Sequence, residues 1–350
     1  MANEMSGFGG SSSTSSSDAE GLAVFKFQEL AASTRNFAPE SLLGEGGYVR
    51  TYRGCLKSTG QVVAIRQVSE TSISSIYRYN DQTMLSTIRI RSLLHHPNVA
   101  EMIGYSINDK NQIFFVYDFM PLGSLKDHLH GKKLLDWNTR MKIAAGAAKG
   151  LKCLHDKSDP PVIHGNIKPS NILLCEGYHP KLSDFLVFEE RIPETDESSH
   201  QRCFGRHCYR HAPEFYMDFK LTQQSDIYSF GFVLLELISG RLEEITPTLL
   251  EWWAATNSQR WLIHYYPEQG LYQAFFLAAE CLHTEDVARP RIGYVVNVLS
   301  NLASEIYDPN AIQINRAGAL TIGNFEKERL RDQWRHVWST VLLCTGGFLY

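Results

Sequence analysis

The 350-residue sequence contains no apolar run as long as the roughly 18 to 20 residues that a membrane-spanning helix requires. The apolar end over 341–350 is short and includes two glycines. The N-terminus reads Met-Ala-Asn and so lacks the glycine at position two that myristoylation needs. We therefore expect a cytoplasmic protein without an intrinsic membrane anchor.

The sequence also lacks a strong excess of either charge and lacks a disulfide pattern. Its formal net charge is −4, which excludes a general attraction to nucleic acid, so we expect no nucleic-acid partner. Its seven cysteines are scattered and odd in number, and no secretory signal precedes them. A reduced intracellular compartment fits this usage better than a disulfide framework.

The composition that remains is ordinary for a globular protein, with 43% hydrophobic and 21% charged residues. Residues 1–21 are rich in Ser and Gly, which predicts a disordered tail. The pattern is globular over 22–306, and residues 307–350 form a C-terminal tail with some helical content. The length suffices for one large domain or two lobes that share a cleft.

Residue patterns in the first part of the globular region predict mainly strands. The β-branched run over 62–65 and the apolar run over 113–117 indicate strands, and apolar spacing indicates one helix over 83–94. Within that helix the stem of Arg91 belongs to the apolar face. We therefore expect a strand-rich N-lobe at about 37–119.

The second part of the globular region predicts helices. Asp136 is a candidate N-cap for a long helix over 137–155, which Pro160 and the proline after it end. Two further buried helices are predicted over 226–237 and 270–282. The prediction is an α+β fold with a hinge near 118–123 and a helical C-lobe at about 120–306.

Six short motifs follow one another in a fixed order along the chain. They are Gly44-Glu45-Gly46-Gly47, Val63-Ala64-Ile65-Arg66, His164-Gly165-Asn166-Ile167-Lys168-Pro169-Ser170-Asn171, Asp184-Phe185-Leu186, Ala212-Pro213-Glu214 and Asp226-Ile227-Tyr228-Ser229-Phe230-Gly231, and Arg289-Pro290 comes after them. A glycine-rich hairpin lets backbone N–H groups approach phosphates, although alone it could equally be a simple turn. The order of the whole set, more than any single motif, indicates the class of protein.

This order resembles that of the eukaryotic protein kinases over residues 25–309. Within them the chain is similar to the plant receptor-like cytoplasmic kinases, close to subfamily VII, in the segments 27–30, 120–125 and 137–144. The resemblance implies a bilobal protein kinase fold that uses ATP and Mg²⁺. It implies receptor kinases, related cytoplasmic kinases or immune receptors as partners, which would recruit the protein to the plasma membrane.

The resemblance also assigns site residues. The positions for binding nucleotide are Gly44, Gly46, Val49, Ala64, Arg66, Tyr117, Phe119, Asn171 and Asp184. Of these, Asn171 and Asp184 are the metal ligands. The catalytic positions are Lys168, Asn166 at the base position, Arg66 at the lysine position and Thr87 at the helix glutamate position. Glu214 with Arg289, and Asp226, match groups that brace the C-lobe and the catalytic loop.

Four of these positions depart from the family, and the first is Val49, which stands where the family has its third loop glycine. Arg66 replaces a lysine, and Thr87 replaces the glutamate that would orient it, so we expect ATP and Mg²⁺ to bind weakly if at all. Asn166 replaces the aspartate that accepts the substrate proton, and an amide cannot act as that base. Our main hypothesis is a catalytically impaired pseudokinase that acts as an adaptor, decoy or regulator in plant receptor or immune signalling.

Two alternatives stay open at this point. The first is a slow serine/threonine kinase in which Arg50 or Lys57 substitutes for the missing lysine. The second concerns the His and Cys residues over 200–211, whose spacing matches no standard zinc finger and which we interpret as an incidental cluster.

Overall fold

The computed structural model describes residues 21–46, 49–68, 88–108, 112–129, 135–157, 161–185, 210–215, 220–240 and 267–307. Among these residues the strands are β1 Ala23–Val24, β2 Leu42–Gly46, β3 Val49–Cys55, β4 Val62–Val68, β5 Met102–Ile107, β6 Ile113–Asp118, β7 Ile172–Cys175 and β8 His179–Leu182. The helices are α1 Phe27–Ser33, α2 Leu125–Leu129, α3 Trp137–Lys157, α4 Gln223–Ser239, α5 Glu268–Cys281 and α6 Ile292–Ser304. Residues 88–93 are also helical.

The small lobe is a twisted sheet with the strand order β1-β5-β6-β4-β3-β2. The run that predicted a strand over 62–65 forms β4, and the run over 113–117 forms β6, so both predictions are confirmed. Val63 and Ile65 are fully buried on one face of β4, whereas Ala64 and Arg66 point to the opposite face. This alternation turns the functional residues of β4 toward the second lobe.

The segment before residue 37 packs on the sheet. Strand β1 pairs in parallel with β5, and Leu30 of α1 is fully buried in a cluster with Val63 and Phe114. The ring of Phe37 stacks on Phe114 with the centroids 5.2 Å apart. The small lobe therefore includes residues ahead of its expected start at about 37, because their aromatic side chains cover the outer face of the sheet.

The large lobe is built around α3. The predicted N-cap is confirmed, because the Thr139 backbone N–H donates to Asp136 Oδ1 at 2.7 Å. Helix α3 packs against α6 and α4, and its Gly150 allows the backbone of Asn98 to approach so closely that a Cβ would lie 2.4 Å from the Asn98 oxygen. The three helices predicted in this lobe are all present, with α4 and α5 starting slightly earlier than expected.

A short hairpin of β7 and β8 lies where the two lobes meet. Ile172 pairs with Leu182, so the residues just outside that pair, Asn171 and Ser183, face each other. The Ser183 N–H donates to the Asn171 carbonyl at 2.9 Å. The hinge attaches to the same hairpin, since Leu174 donates to the Gly123 carbonyl at 2.8 Å. The architecture is the predicted one, a sheet-rich N-lobe and a helical C-lobe.

Several expectations concern residues outside this set. The tails over 1–20 and 308–350 and the start of the helix predicted over 83–94 lie outside the described residues, as does Pro160. Within the part of the chain that the structure describes, no helix has the length and apolar character needed to cross a membrane.

Candidate active site

One face of the small-lobe sheet forms the roof of the interlobe cleft. Strand register places Arg53, Ala64 and Tyr117 side by side. Arg66 lies two residues after Ala64 on β4 and therefore on the same face of the sheet. Residues paired across antiparallel strands share a face, so these side chains belong to one surface. Ala64 and Tyr117 pack in the same cluster as Leu173 of β7, which brings the floor of the cleft against its roof.

Tyr117 and Phe119 mark the inner and outer ends of this apolar part of the cleft. Tyr117 is buried, and its hydroxyl accepts a hydrogen bond, so it is a packing residue as its position predicts. Phe119 follows β6 and is half-buried, with the Arg53 guanidinium 5.0 Å from its ring centroid. The two aromatic residues and Ala64 lie on one face of the sheet, and such an apolar surface would suit a purine ring.

The glycine-rich hairpin of β2 and β3 forms the edge of the roof. Gly44 pairs with Thr51 and Gly46 pairs with Val49. A Cβ at Gly44 would meet nothing within 4 Å, so the fold itself does not require glycine there. The absence of a side chain instead leaves the Gly44 backbone open to a ligand, which is the arrangement that phosphate groups need.

The catalytic loop is anchored from below by Asp226. Its carboxylate accepts hydrogen bonds from the backbone N–H groups of His164 at 2.7 Å and Gly165 at 2.8 Å, and His155 Nε2 lies 2.9 Å from it. Gly165 has a φ of 66°, a conformation that favours glycine. The predicted bracing role of Asp226 is therefore confirmed, and the loop holds Asn166 in a defined place.

Asn166, Lys168 and Asn171 lie together on this loop. The Asn166 N–H donates to His164 Nδ1 at 3.3 Å, and its carbonyl accepts from Asn171 Nδ2 at 2.8 Å. Burial lowers the pKa of the Lys168 amine below its ordinary value, and the charges of Arg210, Arg66 and Lys126 lower it further. The loop thus presents cations and amides at the place where a carboxylate base would be needed.

Asp184 follows β8 and meets Arg66 across the cleft. Arg66 Nη1 forms an ion pair with Asp184 Oδ1, and the two side chains are 19% and 31% exposed. Asp184 has a φ of 61°, which is uncommon for a residue other than glycine and is typical of functional sites. The replacement of lysine by arginine at residue 66 therefore preserves a cation that contacts the metal-ligand position.

Asp184 and Asn171 offer the chemistry that Mg²⁺ prefers. They are a carboxylate and an amide, both of which supply ligand oxygens, and the backbone hydrogen bond from Ser183 to Asn171 joins the two segments that carry them. Asn171 uses its Nδ2 to bind the Asn166 carbonyl, so its Oδ1 is the atom that would bind a metal. The residues fit a magnesium ion that also binds nucleotide phosphates, although Arg66 engages one oxygen of the carboxylate.

The site residues that the resemblance predicts lie within the described residues, with the exception of Thr87. Thr87 lies outside the described residues, as do Leu186 and the His and Cys residues over 200–208. Arg50, the candidate substitute for the missing lysine, pairs with Gln67 on the opposite face from Arg66 and bonds Glu45 at 2.8 Å. Arg50 therefore points away from the cleft, and Arg66 is the cation that faces Asp184.

One ion pair in the described part of the large lobe was predicted, and another arginine–carboxylate pair there was not. Arg289 donates to both carboxylate oxygens of Glu214 at 2.7 Å, which confirms the predicted brace. Burial acts to raise the pKa of Glu214, but the hydrogen bond and charge of Arg289 outweigh it and hold the pKa below its usual value. Arg210 forms a second bidentate pair with the fully buried Glu236.

Sequence reasoning also missed the role of Arg91. It predicted that the stem of Arg91 lies on an apolar helix face, but the guanidinium is the part that makes specific contacts. It donates to the Tyr117 hydroxyl at 2.9 Å and to the Phe185 carbonyl at 2.6 Å. The available signal was a cation between two apolar residues, Ile88 and Leu94, at helical spacing.

Comparison with known proteins bears on the family of this chain. Residues 38–299 match the family described as protein tyrosine and serine/threonine kinase. The chain is 47% identical over 309 aligned positions to serine/threonine-protein kinase PBL27 of Arabidopsis thaliana and 46% identical over 308 positions to serine/threonine-protein kinase PBS1 of the same plant. Each alignment covers 82% of this chain, but only 58% of PBL27 and 66% of PBS1.

A third relative from that plant, probable serine/threonine-protein kinase PBL7, is 46% identical over 309 positions, which are 82% of this chain and 79% of PBL7. The match to the family extends from the end of α1 to α6, and so includes both lobes and every described site residue. The chain therefore belongs to the protein tyrosine and serine/threonine kinase family.

Proposed function

We propose that this protein is a pseudokinase, a member of the kinase family in which phosphoryl transfer is strongly impaired and the fold serves as a binding partner. The observation that carries the proposal is Asn166. The catalytic loop is anchored by Asp226 as an active loop would be, but the residue that should accept the substrate proton is an amide.

The magnitude of this loss decides between a slow enzyme and an inactive one. A general base contributes about 10² to 10⁴ in rate, and a typical kinase turns over about 1 to 100 times per second. Loss of the base alone thus removes most of the expected turnover.

We further propose that the cleft binds Mg²⁺ and ATP weakly. Ala64, Tyr117 and Phe119 would hold the base, Gly44, Gly46 and Val49 would lie over the phosphates, and Asn171 with Asp184 would hold the metal. Bound magnesium would supply the charge that neutralises the phosphates. Arg66 competes for the same carboxylate, which is a physical reason for weak binding.

A thermal-shift titration tests this binding proposal. We expect Mg²⁺–ATP to raise the melting temperature of the wild-type protein and to have a smaller effect on Asp184→Ala, since binding to the folded state stabilises it by mass action. Equal shifts for both proteins would contradict the assigned role of Asp184. The absence of any shift in the wild-type protein would contradict nucleotide binding itself.

The partners that we propose are receptor kinases, related cytoplasmic kinases or immune receptors, to which this chain would act as an adaptor, decoy or regulator in plant signalling. Family membership supports this, together with a fold whose bracing residues Asp226, Glu214 and Arg289 keep their contacts. The protein would be cytoplasmic and recruited to the plasma membrane by such partners. Affinity capture from plant extract that recovers no kinase or receptor above background would contradict the proposal.

A second candidate is an active serine/threonine kinase that is slow and unorthodox. The names of its relatives favour this candidate, since PBL27 and PBS1 are named as serine/threonine-protein kinases. The preserved contacts of Asn171, Asp184 and the large-lobe brace also allow it. Phosphate transfer that depends on Asp184 would decide in its favour.

A further inference from the structure

Arg91 connects three elements that meet behind the candidate nucleotide site. It projects from the helical residues 88–93, and its two terminal nitrogens donate to the Tyr117 hydroxyl on β6 and to the Phe185 carbonyl after β8. The Phe185 bond is short, at 2.6 Å, and involves a charged donor, which makes it stronger than a neutral hydrogen bond. Both partners lie next to residues that line the cleft.

The same guanidinium packs against aromatic rings. Its carbon lies 4.2 Å from the centroid of the Phe185 ring and 5.8 Å from that of Phe115. Phe185 is 2% exposed, and its ring also lies near the ring of His164, with the centroids 6.2 Å apart and the planes inclined at 64°. A cation over a desolvated aromatic ring is held more firmly than one at the surface.

The contacts of Arg91 also come at a cost, which argues that they have a role. The Nε atom of Arg91 is buried and has no hydrogen-bond partner among the described residues. An apolar side chain would fill the space around Phe185 without burying a charge or an unpaired N–H group. What only the arginine provides is a directed hydrogen bond to the backbone of Phe185.

That backbone is continuous with Asp184, the candidate metal ligand. Asp184 adopts a left-handed conformation, which its surroundings must hold in place. Arg66 contacts the Asp184 side chain from the roof of the cleft, and Arg91 fixes the next residue from behind. Two cations from different elements therefore determine the position of this carboxylate.

We propose that Arg91 is a positioning residue for Asp184, which ties the helix over 88–93 to the metal-binding loop through Phe185. The hydrogen bond from Arg91 to the Phe185 carbonyl is made between described residues, so the proposal does not draw on the residues after Phe185. The effect of Arg91 on nucleotide binding rests on the function proposed above. Its effect on the position of the loop at Asp184 does not.

Hydrogen exchange followed by mass spectrometry tests this positioning role without any ligand. In Arg91→Met the aliphatic stem and the contact with Phe185 remain, but both hydrogen bonds are lost. We expect amide exchange in a peptide over 180–185 to become about tenfold faster than in the wild-type protein, as loss of a charged hydrogen bond would allow. Arg91→Lys should fall between the two, and Tyr117→Phe should have a smaller effect.

Arg89→Met is the matched control, because Arg89 lies on the same helix two residues away and its side chain is exposed. It should leave exchange over 180–185 unchanged. A purely structural role for Arg91 would instead speed exchange throughout the protein and lower its melting temperature in proportion. Equal exchange over 180–185 in Arg91→Met and Arg89→Met would overturn the proposal.

A second measurement tests whether Arg91 affects metal-dependent nucleotide binding. The ratio of ATP-analogue dissociation constants without and with Mg²⁺ should fall about tenfold in Arg91→Met, with little change in the metal-free constant. An unchanged ratio would overturn the role of Arg91 in placing Asp184 for the metal. If the wild-type protein binds no analogue, the proposed nucleotide binding fails, and hydrogen exchange alone decides whether Arg91 positions the loop.

Discussion

Arg66 on β4 and Asp184 after β8 form an ion pair that crosses the interlobe cleft. The pair joins the roof of the candidate site to the loop below it, and it involves one of the two oxygen donors that fit Mg²⁺. Neither side chain is more than a third exposed, so the interaction is only partly screened by solvent. In the proposed site, Arg66 would therefore be both the cation for nucleotide phosphates and a competitor of the metal.

Removal of the Arg66 charge should weaken nucleotide binding. We expect Arg66→Gln to raise the dissociation constant of a non-hydrolysable ATP analogue by roughly 10- to 100-fold, because hydrogen bonds to charged groups contribute about 1.5 to 3 kcal/mol. Arg66→Lys, which keeps the charge, should lose less affinity. Isothermal titration calorimetry in the presence of Mg²⁺ would measure both.

Arg50→Gln is the control for this comparison, since Arg50 lies on the opposite face of the sheet, exposed and paired with Glu45. Its affinity should remain close to that of the wild-type protein. A loss in Arg50→Gln as large as in Arg66→Gln would mean that Arg50 reaches the phosphates, which the slow-kinase alternative requires.

The buried carboxylate of Asp226 should be essential for stability. Asp226→Asn removes the charge that two backbone N–H groups and His155 share, and loss of one member of a buried charged network costs about 3 to 5 kcal/mol. Urea unfolding would measure the change. Asp156→Asn, at an exposed pair with Lys152, should change stability by less than about 1 kcal/mol. Equal effects of the two changes would contradict the anchoring role.

His164 should make the protein sensitive to mild acid. Burial lowers the pKa of its imidazole from 6.5 to about 4, with Asp226 opposing the shift. The unfolded chain therefore binds a proton at a higher pH than the folded protein does. The contribution of neutral His164 to the free energy of unfolding is fully present above pH 6.5 and is lost as the pH falls toward 4. The total loss is on the order of 3 kcal/mol.

His164→Phe removes this titration and keeps an aromatic ring against Phe185. We expect the free energy of unfolding of the variant to fall less steeply between pH 6.5 and 4 than that of the wild-type protein. Urea titrations across this range would compare the slopes, with His95→Gln as a control because His95 is exposed. Parallel slopes for wild-type and His164→Phe proteins would show that His164 does not cause the acid loss.

Two glycines in helices should respond oppositely to alanine. Gly150→Ala would place a Cβ 2.4 Å from the Asn98 backbone oxygen, so we expect a loss of about 1 to 3 kcal/mol from overpacking. Gly293 has open space around it, and Gly293→Ala should stabilise α6 by about 0.4 to 1 kcal/mol. Thermal unfolding would compare them. A neutral Gly150→Ala would mean that α3 does not approach Asn98 so closely.

The sequence was sufficient to predict elements whose signals are local. The β-branched run over 62–65 predicted β4, and Asp136 ahead of an apolar helical pattern predicted the start of α3. Resemblance to a family then assigned the residues of the cleft, because the order of motifs along the chain fixes their order in the fold. Asp226 and the Glu214–Arg289 pair were predicted in this way.

Features that depend on distant partners could not be predicted. Strand β1 pairs in parallel with β5, about 80 residues later, and no local pattern encodes such a pairing. Helical spacing showed that Arg91 faces inward, but not that its head would find the Phe185 carbonyl, 94 residues away. Glu236 lies within the apolar run of α4, and only the fold brings Arg210 to it.

Phosphate transfer is the property on which the pseudokinase proposal depends. The most direct measurement is transfer of radiolabelled phosphate from ATP, with Mg²⁺ and separately with Mn²⁺, by wild-type protein beside Asp184→Ala. Because Asn166 cannot accept the substrate proton, we expect the wild-type protein to label itself and a generic substrate no more than Asp184→Ala does. Labelling by the wild-type protein that disappears in Asp184→Ala would show an active kinase and contradict the proposal.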